Sequence, residues 1–137
     1  MKKIIFTLVV SLFAFSVFAN DMPIQPNQLP ANAQSFVASK FAGANIVAAK
    51  KDRDGFEAAL SNGTKIDFAL NGEWDSIESY SVLPAGILPA PVEAAANAQG
   101  GNIVKIDRDF GYFEVKLQNN VELKIDNNGN ILKRELD

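Results

Sequence analysis

Alternating apolar and charged residues run through two stretches of the chain and predict β-strands. Asn-Gly dipeptides, as at Asn62-Gly63, Asn71-Gly72 and Asn128-Gly129, separate the runs as turns would. A period of two places apolar side chains on one face of a sheet and charged side chains on the other. We therefore predict antiparallel meander strands with one buried and one solvated face. The apolar set is Phe56, Ala58, Leu60, Ile66, Phe68, Leu70, Phe113, Val115, Leu117, Val121, Leu123 and Ile125.

A helical period replaces the strand period upstream of each of these stretches. Apolar residues there recur three and four positions apart, which is typical of an amphipathic helix. Pro30 is expected at the first helical position, and Gly43 should stop the first helix, as Gly100-Gly101 should stop the second. The apolar stripes are Leu29, Ala33, Phe36, Val37 and Phe41 in the first helix, and Leu88, Val92, Ala95 and Ala96 in the second.

The two stretches also match each other in sequence. Asn45-Ile46-Val47 recurs 57 positions later as Asn102-Ile103-Val104, and Phe56-Glu57 recurs at the same offset as Phe113-Glu114. We predict two tandem repeats, over residues 29–80 and 81–137. A unit of this size buries little surface alone, so the repeats should form one domain with a shared core. The predicted fold class is α+β: two helix-plus-four-stranded-meander units forming one antiparallel sheet, with both helices on one face.

The N-terminus predicts export. Lys2 and Lys3 precede an apolar run that ends in Val17-Phe18-Ala19, the pattern of a secretory signal peptide over residues 1–19. Cleavage is expected between Ala19 and Asn20, which would place the protein in the periplasm. An uncleaved anchor is the alternative. Residues 20–28 are rich in Pro, Asn and Gln, and we expect a flexible lead segment there.

The amino-acid composition excludes several classes of catalysis and metal binding. The chain has 137 residues, a formal net charge of -3, no His and no Cys. These absences exclude imidazole bases, thiol nucleophiles, disulfides and the usual zinc ligands. We expect no enzyme activity, no cofactor and no metal. The acidic charge argues against nucleic acid and, after signal cleavage, against membrane surfaces as partners. The acidic pairs Asp52/Asp54, Asp107/Asp109 and Glu57/Glu114 are candidates for acid–base chemistry, and the segments Asp52–Gly55 and Asp126–Gly129 resemble calcium-binding loops. Hairpin turns and a solvated sheet face explain all of them without either function.

A family resemblance rests on two segments. The first is DGFEAALSNGTKIDFALNGEW, from Asp54 to Trp74; the second runs from Gly111 to Leu117 and continues at Asp126 to Gly129. Both resemble PepSY-like, beta-lactamase-inhibitor-like secreted proteins. The chain departs from that pattern at Gly100-Gly101, which replaces the aromatic-plus-glycine ending at Phe41 to Gly43. The resemblance implies one curved antiparallel sheet and a role in binding or restraining proteases or other envelope proteins through a sheet face.

We therefore predict a monomeric, non-enzymatic binding module that docks a protein or peptide of the cell envelope on its exposed sheet face. A small-ligand carrier and an envelope structural or assembly factor remain the alternatives, and the same face could be an ordinary solvated surface. Aromatic residues often anchor interfaces. The candidate protein-binding residues are Tyr112, Glu57, Lys65, Glu114, Lys116, Tyr80 and Trp74. For Trp74, the alignment with Ile131 at the 57-residue offset favours a position in the core or at the sheet edge.

Overall fold

Within the described part of the chain, two α-helices and one antiparallel sheet make up the fold. The computed structural model describes residues 21–137. The sheet has nine strands, and its hydrogen-bonded neighbours follow the chain order from β1 to β9. The helices are α1 (Ala31–Lys40) and α2 (Ala90–Asn97). The strands are β1 (Met22–Ile24), β2 (Ile46–Lys51), β3 (Gly55–Leu60), β4 (Lys65–Ala69), β5 (Trp74–Glu78), β6 (Ile103–Arg108), β7 (Tyr112–Leu117), β8 (Val121–Asp126) and β9 (Ile131–Leu136).

A row of buried side chains crosses the middle of the sheet on one face. Its members come from β3 to β8, lie directly opposite one another, and are each at most 2% exposed. Burying one such aliphatic side chain contributes roughly 1.5–3 kcal/mol. The row consists of Ala58, Ile66, Ile77, Ile106, Val115 and Leu123.

The predicted α+β class and the predicted antiparallel sheet are confirmed.

Both helices pack their apolar stripe against this buried face. Phe41 closes α1 by donating its backbone N–H to Val37 O at 2.9 Å. Gly43 then takes a φ of +91°, a conformation that favours glycine and turns the chain out of the helix. Pro30 precedes α1 as its N-terminal cap rather than forming its first turn. The buried helix-side residues are Leu29, Ala33, Val37, Phe41, Leu88, Val92 and Ala96.

The segment before α1 differs from the expected flexible lead. Met22–Ile24 forms β1, which pairs antiparallel with β2, and Pro26–Gln28 forms a 3-10 helix. Ile24 is half-buried against the core, and Leu29 is buried. These two apolar contacts hold the segment in place and let it cover the edge of β2, so the sheet has nine strands instead of eight.

The predicted signal peptide and its cleavage site at Ala19 and Asn20 lie outside the described residues. Between residues 21 and 137, neither helix has the length and apolar character needed to cross a bilayer.

Candidate functional site

Charged side chains line the sheet face opposite the helices, and they form two cross-strand rows that we call the polar face. Directly opposed residues on one face have Cβ atoms about 5 Å apart, so each row is a continuous line of side chains. The central row, from β2 to β9, is Lys50, Glu57, Asp67, Ser76, Asp107, Glu114, Lys124 and Lys133. The second row, from β3 to β9, is Ala59, Lys65, Glu78, Lys105, Lys116, Glu122 and Glu135.

Four carboxylates lie at the middle of the central row, two on each side of Ser76. Glu57 and Asp67 are on β3 and β4, and Asp107 and Glu114 are on β6 and β7. The Ser76 hydroxyl donates a hydrogen bond to Asp107 Oδ1 at 2.6 Å. We call this group the acidic centre. Its negative charge is concentrated where the β5–β6 pair joins the two halves of the sheet.

Lysines neutralise one end of the acidic centre. Lys50 Nζ lies 3.7 Å from Glu57 Oε1, and Lys65 Nζ lies 3.8 Å from Glu57 Oε2. These side chains are part-exposed, so each ion pair contributes well under about 1 kcal/mol to stability. Their effect is on the electrostatic pattern: the acidic centre is bordered by positive charge at β2 and again at β8 and β9.

Asp67 has an unusual protonation equilibrium. Its pKa is raised from 3.8 to about 7. Desolvation by the surrounding strands is the largest cause, the negative charge of Glu57 directly opposite is the next, and Lys65 acts in the other direction. By surface area, however, the side chain is exposed. Water therefore screens part of both effects, and Asp67 is an accessible carboxyl with a raised pKa rather than a buried acid.

Tyr112 lies half-buried beyond the acidic centre, on the same face. Lys124 Nζ sits 5.4 Å from the centroid of its ring, within the range of a cation–π contact. A hydrogen bond with Asp109 is the main cause that raises the pKa of the Tyr112 hydroxyl. Lys116 Nζ lies 3.4 Å from Asp137 Oδ2. The Tyr112 ring is amphipathic and is held in place by Lys124 and Asp109, which suits it to an interface position.

Five of the seven predicted binding residues lie together on the polar face: Glu57, Lys65, Tyr112, Glu114 and Lys116.

The structure separates the other two from it. Trp74 is 5% exposed on the helix side, with its ring centroid 6.1 Å from that of Phe113 and 4.2 Å from the Arg108 guanidinium. Tyr80 is 95% exposed in the loop after β5, close to Gly63. Neither residue belongs to the polar face.

Six members of the central row are absent from the predicted patch: Lys50, Asp67, Ser76, Asp107, Lys124 and Lys133. The alternation in β4 and β8 already assigns Asp67 and Lys124 to the charged face. Ser76 and Asp107 can be placed next to each other in the row only when the register of the β5–β6 pair is known. These strands are separated by α2, so no local turn signal in the sequence determines their alignment.

Of the carboxylate pairs that are candidates for acid–base chemistry, one is widely separated and the other two each include a residue of a hairpin turn. Glu57 and Glu114 are four strands apart, which corresponds to roughly 19 Å at the usual strand spacing. Asp52 Oδ1 accepts the backbone N–H of Asp54 at 2.7 Å and that of Gly55 at 2.9 Å. Asp109 accepts the N–H of Phe110 at 3.2 Å. These carboxylates serve hairpin turns, as Asp commonly does.

The two segments that resemble calcium-binding loops, Asp52–Gly55 and Asp126–Gly129, are also turns. Asp126 Oδ1 accepts the N–H groups of Asn128 and Asn130, each at 2.9 Å. The bonds from Asn130 are the main cause that lowers the pKa of Asp126. Across residues 21–137, no three acidic side chains converge in a group that could hold a metal ion.

Three solved structures of bacterial proteins resemble this one over most of its length. One, from Bacteroides thetaiotaomicron, is described as a "putative calcium-regulated periplasmic protein"; it is 32% identical, with a TM-score of 0.76, covering 84% of this chain and 96% of that one. A protein from Bacteroides vulgatus, described as a "putative periplasmic protein", is 32% identical, with a TM-score of 0.77, covering 85% of this chain and 98% of that one. A second from that species, described as of unknown function, is 26% identical, with a TM-score of 0.76, covering 84% and 98%.

A family model also matches this chain. It matches residues 54–133 and is described as "Putative beta-lactamase-inhibitor-like, PepSY-like". A comparison with curated proteins finds no match. Since the family model covers more than half of the chain and the solved relatives share its fold, the protein belongs to the PepSY-like, beta-lactamase-inhibitor-like family.

Proposed function

We propose that this protein is an exported, periplasmic and non-enzymatic binding module that docks a protein of the cell envelope on its polar face. The observation that carries the proposal is the cross-strand order of charges on a sheet face that no described helix covers. The family's inhibitor-like description and the periplasmic description of its relatives support the same conclusion. Restraint of an envelope hydrolase is the form of binding that this description favours.

The order of charges specifies the chemistry of the partner. The acidic centre requires a basic patch on the partner, and the lysines at the ends of the row require acidic groups around that patch. Complementary patterns of this kind steer association and exclude partners with the wrong charge. A ribbon of hydrogen-bonded strands also holds the pattern rigidly, so little conformational entropy is lost on binding. The partner we infer is therefore a folded protein with a basic centre and an acidic rim.

The proposal includes two repeats, at residues 29–80 and 81–137, within one domain. Backbone hydrogen bonds recur 57 positions apart: Asp52 N–H donates to Gly55 O, and Asp109 N–H donates to Tyr112 O, at 3.0 and 2.9 Å. Irregularities in strand register also recur at this offset, in β2 and in β6. Glu57 recurs as Glu114, but two other charges of the central row are reversed: Lys50 corresponds to Asp107, and Asp67 to Lys124. Reversal at these two positions is what places all four carboxylates next to the β5–β6 junction.

A ligand carrier is the less supported alternative. It would need an apolar cavity between the helices and the sheet, whereas that space holds the packed core. The depression at the end of α2, lined by residues such as Val82, Leu88 and Ile103, opens to solvent.

Matched charge reversals test the proposal. Glu114→Lys changes the polar face, and Glu93→Lys makes the same change of net charge on α2. We expect a discrete envelope protein to be captured by the unmodified protein and by Glu93→Lys, to be lost with Glu114→Lys and reduced with Tyr112→Ala, and to be released as the salt concentration is raised. Equal capture by all variants would contradict the proposal, as would capture that salt does not weaken.

A further inference from the structure

The two edges of the sheet differ in how they are protected. β1 is three residues long and contains Pro23, which lacks a backbone donor, and both features discourage pairing with another strand. β9 is six residues long, has no proline, and is exposed at every position. Leu132 is 58% exposed and Leu136 is 72% exposed. Among the described residues, no strand pairs with its outer side. β9 is thus open to an additional strand.

The charges on β9 are mismatched with the strand it already pairs with. Lys133 lies directly opposite Lys124, and Glu135 lies directly opposite Glu122. Like charges in directly opposed positions are destabilising. Within β9, Lys133 Nζ and Glu135 Oε2 are 3.0 Å apart. A strand added on the outer side could supply the opposite charge at each of these two positions, which β8 does not.

The geometry points to a second copy of this chain as the added strand, paired antiparallel with β9 about a two-fold axis at Arg134. In this register Lys133 faces Glu135 of the second copy, and Glu135 faces its Lys133. Leu132 and Leu136 of one copy face Leu136 and Leu132 of the other. Shifting the register by two residues would instead place Lys133 against Lys133 or Glu135 against Glu135.

The backbone is oriented for this register. Asp137 N–H donates to Asn120 O at 2.9 Å, towards β8. Backbone groups in an antiparallel ladder alternate between the two sides of a strand. The N–H and C=O groups of Arg134 and Leu136 therefore point away from β8. A two-fold axis at Arg134 lets the two Arg134 residues exchange a pair of backbone hydrogen bonds.

The one like-charged contact in this arrangement is relieved within each copy. Arg134 would face Arg134 across the axis, but its Nε donates to Gln99 Oε1 at 3.0 Å. Gln99 follows α2, so this bond holds each guanidinium over its own subunit and away from the axis. The contact is smaller than a standard interface, and we expect a weak dimer, with a dissociation constant on the order of 0.1 mM. This revises the expectation of a monomer made from the sequence.

Sedimentation velocity over a concentration series tests the dimer with two single charge reversals. Both side chains are more than half exposed, so the variants should fold. Lys133→Glu alone gives only acidic facing pairs, and Glu135→Lys alone gives only basic ones. We expect each variant to associate roughly tenfold more weakly than the unmodified protein, because two attractive pairs become repulsive. An equal mixture of the two restores both attractive pairs, and we expect it to associate at least as strongly as the unmodified protein.

Restored association in the mixture would support both the second copy and the register, since a folding defect in either variant cannot be repaired by mixing. Two results would overturn the inference: an unmodified protein that stays monomeric well above the expected dissociation constant, or a mixture that associates no better than its components. Pairing of β9 with a strand from a different protein, in place of a second copy, would also overturn it.

Discussion

The hydroxyl of Ser76 on β5 donates a hydrogen bond to Asp107 on β6 at 2.6 Å, across the junction between the two halves of the sheet. The bond is part-buried and involves a charged acceptor, which makes it stronger than a neutral hydrogen bond. It orients Asp107 within the acidic centre while the β5–β6 ladder aligns the two halves of the central row. The proposed binding face thus depends on the pairing of two strands that are distant in sequence.

Removing this hydroxyl should destabilise the fold. For Ser76→Ala we expect a loss of about 1–2 kcal/mol in the free energy of unfolding, because Asp107 loses a donor in a part-buried site. Ser81→Ala, an exposed change in the loop after the same strand, should cost well under about 1 kcal/mol. Urea denaturation of the two variants measures the difference. Equal midpoints would show that the Ser76 bond adds nothing to stability.

Asp67 should make stability depend on pH. Its folded-state pKa of about 7 lies above the ordinary value of 3.8, so between these values the folded state binds more protons than the unfolded state. Stability from this group therefore falls as pH rises from about 4 to about 7. Because water screens the exposed side chain, we expect an effect of roughly 1 kcal/mol or less.

Asp67→Asn should reduce this pH dependence and stabilise the protein above pH 7, since it removes the repulsion with Glu57. Asp54→Asn, which changes an exposed hairpin carboxylate, is the matched control. Thermal or urea unfolding at several pH values distinguishes them. An Asp67→Asn variant with the same pH dependence as the unmodified protein would show that the carboxyl titrates in its ordinary range.

Gly129 should tolerate alanine less well than Gly111. Both have positive φ, at +92° and +79°, so both substitutions strain the backbone by about 1–2 kcal/mol. At Gly129 an added Cβ would also lie 2.7 Å from Pro91 O, whereas at Gly111 it would meet nothing within 4 Å. We expect Gly129→Ala to lose at least 1 kcal/mol more than Gly111→Ala, because the β8–β9 turn packs on the start of α2. Similar unfolding midpoints would contradict this packing.

Local sequence patterns predicted most of the individual elements. The period of two located the buried residues of β3, β4, β7 and β8, and the stripe from Leu29 to Phe41 located α1. Local patterns failed where pairing with another strand determined whether a segment became a strand. Met22–Ile24 became a strand because β2 offers an edge and the core accepts Ile24, which its Pro- and Asn-rich neighbourhood does not indicate.

The residues of the candidate site also divide into those that local alternation predicts and those that long-range strand pairing places. Alternation assigned Glu57, Lys65, Glu114 and Lys116 to one face, but the acidic centre required Ser76 and Asp107, whose alignment is set by long-range pairing. Trp74 is an aromatic of the kind that anchors interfaces, but its alignment with Ile131 favours the core position in which it lies. A β-strand pattern determines which residues share a face, while the order of strands determines which charges become neighbours.

Crosslinking in the intact cell envelope tests the central claim, that the polar face binds a protein. A photo-crosslinking amino acid replaces Tyr112 on the polar face, or replaces Ser35 or Ala94 on the outer surfaces of the two helices. We predict a discrete protein adduct from position 112, none from positions 35 and 94, and loss of the adduct when Glu57→Lys and Glu114→Lys are added. Adducts from the helix positions with none from position 112, or an adduct unchanged by the two reversals, would contradict the account.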